Sequence, residues 1–99
     1  MKRRLRLAPA AQQDLERLFE IPAENDFDTA LSARAAIERA YELVVEFPFA
    51  CRKIDPANAF LREIVIPFGR AGYVALFEIE SDSLITLLAV RHQRGEDYH

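Results

Sequence analysis

The hydrophobic period changes once along this chain, and that change restricts its fold to helices first and a sheet after. Between Ala11 and Val44 apolar residues recur three and four apart, whereas from Phe60 to His92 they crowd into β-branched and aromatic runs. A helical period of 3.6 and a strand period of 2 place side chains on different faces, so one pattern cannot serve the other element. Pro9 stands where a first helical turn tolerates it, and Ala11, Leu15, Leu18 and Phe19 then share one helical face. That helix is expected to fade near Pro22. "ENDFD" offers Asn25, Asp26 and Asp28 as caps for a second helix, whose stripe is Ala30, Ala33, Ile37, Ala40, Tyr41 and Val44, closed by Phe47-Pro48. Tyr41 and Phe47 are expected in the core. The short connection implies a helical hairpin, and its alanines allow close approach.

Ahead of the helices, "RRLRLA" alternates Arg4 and Arg6 with Leu5 and Leu7, the mark of a half-buried strand with its arginines outward. Lys2, Arg3, Arg4 and Arg6 read as the charged guard of an edge strand. Beyond the helices, "FACRKIDPAN" reads as a loop. "AFLREIVIPF", stopped by Pro67, and then "GYVALFEIE" and "LITLLAVRH" read as strands, the last two joined through "SDS" into a hairpin. The expectation is one α+β domain over residues 1–99 in the order βααβββ. Its helical hairpin packs on one face of a small, mostly antiparallel sheet, with the first strand beside the last.

Charge narrows the choice of partners. The net charge of −3 divides into +4 over residues 1–13, −6 over 14–48 and −1 over 49–99. A protein gripping nucleic acid over a broad face would carry a domain-wide basic excess, because phosphate neutralisation supplies most non-specific affinity. No broad direct nucleic-acid binding is therefore expected, and any such contact must be local. The longest apolar runs are too short to cross a bilayer, so no membrane partner is expected. The basic "MKRRLR" is followed by no long apolar segment, which points to the cytoplasm. Cys51, the one cysteine, reads as a small, partly buried residue. No cofactor and no metal ligand set are expected.

The strongest functional signal is the closing stretch "LLAVRHQRGEDYH", where an apolar strand runs into Arg91, His92 and Arg94, with Tyr98 and His99 behind. Alternation puts Val90, His92 and Arg94 on one side and Ala89 and Arg91 on the other, so these bases converge only if the strand ends or twists near Gln93. Arg62, beside Glu63, has an ordinary reading as a paired surface base, and Arg70, in "FGRAG", as loop charge. Tyr73 reads as packing.

This order, with "LAPAAQQDLERL" opening the first helix, "LREI" upstream of "YVALFEI", and the ending "ITLLAVRHQRGEDY", resembles the RelE/ParE superfamily of bacterial type II toxins over nearly the whole chain. The resemblance implies a toxin held inactive by a cognate antitoxin. RelE-like members resemble ribosome-dependent messenger-RNA endoribonucleases, and ParE-like members resemble inhibitors of DNA gyrase without nuclease activity. Carried over as a ribonuclease, the set would be Arg62, Arg91, His92 and Tyr98, with loop bases Arg52 and Lys53. A YoeB-like pairing would use Glu63 with a C-terminal histidine, although this chain reads Tyr98-His99 where that branch reads His-Tyr. Only Lys2 and Lys53 are lysines, and arginine, with a pKa above about 12, is a poor proton acceptor. An imidazole titrating near ~6.5 would serve better. The expected reading is a ParE-like gyrase inhibitor whose target surface comprises Arg62, Arg70, Arg91, His92, Arg94, Tyr98 and His99. The alternatives are a ribosome-dependent endoribonuclease and a small non-toxic α+β binding module.

Overall fold

Alternation along the strand Tyr73–Ile79 divides the protein into two sides. Tyr73, Ala75, Phe77 and Ile79 are buried, whereas Val74, Leu76 and Glu78 between them are only half-buried. One face of a sheet is therefore covered and the other open, as strand geometry requires when helices pack on a single side. The computed structural model describes residues 3–25, 27–68 and 72–92. In order these form β1 (Arg4–Leu7), α1 (Pro9–Asn25), α2 (Phe27–Glu46), a 3-10 turn (Pro48–Ala50), β2 (Arg52–Asp55), β3 (Asn58–Ile66), β4 (Tyr73–Ile79) and β5 (Leu84–His92). The sheet order is β1-β5-β4-β3-β2, with β1 parallel to β5 and the remaining neighbours antiparallel.

The α+β class, the helical hairpin on one face and the first strand beside the last all match the sequence reading. Three details differ. First, the "loop" Arg52–Asp55 is a fifth strand, which pairs Arg52 with Glu63 and Lys53 with Arg62 before a bulge. It carries no alternating apolar pattern, because it lies at the sheet edge with all four residues exposed. Second, α1 continues past Pro22 to Asn25. Proline removes one backbone N–H bond and disfavours an uninterrupted helix, yet here one further turn follows it. Third, Phe47 is 57% exposed rather than in the core, since α2 has ended at Glu46 and the chain turns away before the helical stripe comes round again. The side chains of Leu18 and Phe19, assigned to a buried face, lie outside what is described, as does Asp26.

The core joins Ala11 of α1 and Ala33, Ala36, Ile37, Ala40 and Val44 of α2 to Ile66, Phe77, Ile85, Leu87 and Val90 of the sheet. Alanines dominate the helical side, so the backbones of α1 and α2 approach one another and the sheet closely, and bulk is supplied from the strands. Tyr73 is buried, as expected of a packing residue.

β5 does not keep one phase. Phe77 of β4 pairs with Leu87, but Leu76 pairs with Ala89, leaving Leu88 as an extra residue in a β-bulge. Before the bulge the odd positions Ile85 and Leu87 face the helices; after it the even position Val90 does. The bulge lies where β1 has ended, beyond the Ala8 N–H to Leu87 carbonyl bond of 2.9 Å. There the Val90 N–H donates to Oδ2 of Asp14 in α1 at 3.0 Å, while Oδ1 of the same carboxylate accepts from Arg17 at 2.8 Å. A helix side chain thus satisfies the strand N–H that has no strand to bond.

On the open face, the buried Thr86 hydroxyl donates to Glu80, and Arg6 Nη2 donates to both Glu80 Oε2 at 2.7 Å and Thr86 Oγ1 at 3.2 Å. Arg6 ties β1 to the β4–β5 hairpin, a role beyond guarding an edge. Leading into β4, Gly72 has φ +113, and a Cβ there would stand 2.2 Å from the Ile66 carbonyl oxygen, so this position requires glycine.

Candidate functional site

The bulge at Leu88 decides the fate of the two described residues in the basic cluster. It sends Arg91, paired with Val74, to the open face, and His92, paired with Tyr73, to the helical side. The alternation read from the sequence is therefore present, and it separates the two bases up to the last described residue. Arg91 is exposed and makes no ion pair among the described residues. His92 is half-buried, with its ring 5.5 Å edge-to-face from Tyr73, which in turn stacks on Phe68 at 6.1 Å. Its Nδ1 is buried and has no hydrogen-bond partner among the described residues. Arg70, Arg94, Tyr98 and His99, the other members of the predicted surface, lie outside the described residues.

Arg62 has a different occupation from the one expected of it. It lies on the helical side, paired with Phe77, and its Nε donates to the Ala59 carbonyl at 2.7 Å. Nη1 donates to the carbonyls of Phe49 at 3.1 Å and Cys51 at 2.8 Å. The guanidinium also sits 5.3 Å from the centre of the Phe49 ring, whose other neighbours are Arg3 at 5.7 Å and the edge of Phe60 at 6.1 Å. Planar donors spent on three carbonyls and an aromatic face latch the 3-10 turn and β2 to β3. Arg62 is thus a structural clasp and not a free cation. Beside it, burial pushes the Cys51 thiol above its ordinary value, and the Arg62 charge opposes that shift in part.

Other candidates resolve similarly. Arg52 is ion-paired with Glu63 on the open face, so the nearest glutamate candidate is neutralised across the strand pair. Tyr41 is pushed up to about 12, first by burial and then by Glu38. Its hydroxyl is buried and unpartnered among the described residues.

What the arrangement does build is a shallow, open groove of about 200 Å³ on the uncovered face, lined by Ile54, Glu63, Val74, Leu76, Ala89 and Arg91. Its floor is aliphatic, with one unpaired cation at its rim. Ile54, Val74, Leu76 and Ala89 were not singled out from the sequence. Their one legible signal was the alternation in "YVALFEI", where Val74 and Leu76 are apolar on the side away from the core.

Comparison with known proteins agrees with this geometry at the level of the fold. A chain from a solved structure described as "Chromosomal ParDE TA system from P. aeruginosa" superposes with a TM-score of 0.69, covering 92% of this chain and 96% of that one at 16% identity. No curated protein matches the chain in sequence. Residues 5–97 match the family described as the ParE toxin of type II toxin-antitoxin system, parDE. With a match that runs from β1 through both helices and past the end of β5, the chain belongs to the ParE toxin family of type II toxin–antitoxin systems.

Proposed function

We propose that this toxin acts in the cytoplasm by binding and inhibiting DNA gyrase, and that a cognate antitoxin holds it inactive. The observation that carries the reading is the family match over residues 5–97. The presence of an antitoxin is supported by the similar fold, which belongs to a ParDE toxin–antitoxin system.

The arrangement of the candidate residues favours a binding surface over a nuclease. Cutting RNA through its 2′-hydroxyl needs a proton acceptor, a cation on the phosphate and a proton donor converging on one bond. Here the His92 imidazole packs against Tyr73 on one side of the sheet, Arg91 stands on the other, and Arg62 is committed to three carbonyls. The target surface centres on Arg91, with Arg70, Arg94, Tyr98 and His99 adding cations and aromatic area, and with Arg62 and His92 positioning the strands beneath.

Separate assays on the purified chain distinguish the targets: gyrase supercoiling on one hand and ribosome-dependent messenger-RNA cleavage on the other. Inhibited supercoiling without cleavage is the expected result; cleavage with unimpaired supercoiling would overturn the reading. His92→Gln sharpens it. A nuclease using this imidazole would lose about two or more orders of magnitude in rate, whereas gyrase inhibition should weaken by less than about tenfold.

A further inference from the structure

The open face of the sheet is balanced in charge but uneven in where that charge is free. By cross-strand register, which sets residues paired across neighbouring strands on the same face, it presents Arg4, Arg6, Arg52 and Arg91 against Glu63, Glu78 and Glu80. Arg6 is paired with Glu80 and Arg52 with Glu63. At the groove, therefore, the acid is already satisfied and the cation Arg91 is not. The floor between them is made of Ile54, Val74, Leu76 and Ala89. No aromatic side chain of the described strands lies on this face.

These features discriminate between classes of occupant. A single-stranded nucleic acid is held by a run of cations along its backbone and by aromatic platforms on which bases stack. This groove offers one free cation, no platform, and the carboxylates of Glu63 and Glu78 nearby. A peptide segment is different, since it needs an apolar pocket for an anchoring side chain and a complementary charge to set its register. We infer that the groove between Ile54 and Arg91 receives a segment of the antitoxin that inserts an aliphatic side chain over Ala89 and pairs an aspartate or glutamate with Arg91. The antitoxin then neutralises by covering the cation at the centre of the target surface. This rests on the toxin–antitoxin reading above and adds to it a site and the chemistry of its occupant.

Calorimetric titration of the purified toxin with the antitoxin encoded by the adjacent reading frame tests the inference, with thermal melting confirming the fold of each variant. Arg91→Glu should weaken binding about tenfold or more and reduce its salt dependence, because a charge-assisted contact becomes a repulsion. Ala89→Phe fills the groove without altering charge and should weaken binding by a similar factor. Arg34→Glu makes the same charge reversal on exposed α2 and should stay within about twofold. Changing one antitoxin acid to lysine should restore affinity for Arg91→Glu. Wild-type affinity in both groove variants would overturn the inference while leaving the partnership intact. So would an equal loss in Arg34→Glu, which would mean bulk charge alone, or competition for the groove by a short single-stranded RNA. Self-association of wild type that Ala89→Phe abolishes would assign the groove to a second copy instead. Failure of the wild-type chain to bind the antitoxin at all would overturn the partnership, and the inference with it.

Discussion

The two faces of the sheet are drawn from the same strands and differ in almost everything else. On the covered face, Phe77, Ile85, Leu87 and Val90 pack against a helical surface of alanines, and every one of them is buried. On the open face, Val74, Leu76 and Ala89 are half-buried and are flanked by Arg91 and by the Arg52–Glu63 and Arg6–Glu80 pairs. Stability resides in the first and recognition in the second. The lesson is that a small toxin can keep a binding surface within one residue of its core, provided that the strand phase is held.

The comparison breaks most sharply at neighbouring positions of β4. Phe77→Ala, at a side chain with no exposure, should cost about 3–5 kcal/mol and bring the domain close to unfolding in denaturant titrations. Leu76→Ala, one residue away on the open face, should cost less than about 1.5 kcal/mol. Equal losses would mean that the open face is as much a core as the covered one.

The hinge between the faces is the bulge at Leu88, and Asp14 holds it. Asp14→Ala leaves the Val90 N–H without its carboxylate, at an expected cost of about 1.5–3 kcal/mol. Hydrogen exchange at Val90 should accelerate, and Arg91 should lose its fixed presentation. If exchange there is unchanged, the strand phase is held by the β4–β5 ladder alone.

Arg62 tests whether a cation near the site belongs to recognition or to stability. Arg62→Lys keeps the charge but not the planar fork that reaches three carbonyls, and should cost about 1–2 kcal/mol by thermal melting while gyrase inhibition by the folded protein persists. Loss of inhibition at full stability would return Arg62 to the target surface.

The smallest effect concerns Tyr41, on the covered side. Its hydroxyl is buried without a partner among the described residues, so Tyr41→Phe should be neutral or stabilising by up to about 1 kcal/mol near neutral pH. The folded state holds the phenol proton up to about 12, above the unfolded value of 10.0. The folded state thus binds more protons, and this contribution is complete below pH 10.0 and is lost as pH rises towards about 12. Comparing wild type with Tyr41→Phe over that range should show a steeper alkaline fall in wild type.

Some of this was legible before any coordinates. Ala33, Ile37, Ala40 and Val44 recur at a spacing that only a helix lines up, and their burial follows from it. Leu5 and Leu7 between Arg4 and Arg6 announced β1, and Pro67 marked the end of β3. β2 was not legible, because "RKID" is a strand only by virtue of bonding to β3. Nor was the clasp of Arg62, since carbonyls have no signature in a sequence and the Phe49 carbonyl lies 13 residues away.

The sequence by itself determined the period of each segment, and through it the elements, the one-sided packing of the helices and the opposition of Arg91 to His92. Period is a property of consecutive residues, so it needs no partner to be read. Which of the two bases faces the open groove was decided by tertiary structure alone. "LITLLAV" is apolar at nearly every position and carries no phase; uninterrupted pairing from Ile85 would have put Arg91 among the helices and His92 outside. The phase comes from the extra residue opposite β4 and from a carboxylate on α1, 76 positions away, which takes the N–H of Val90. Residues so far apart meet only once the chain has folded, and their meeting places the cation on the face where a partner can reach it.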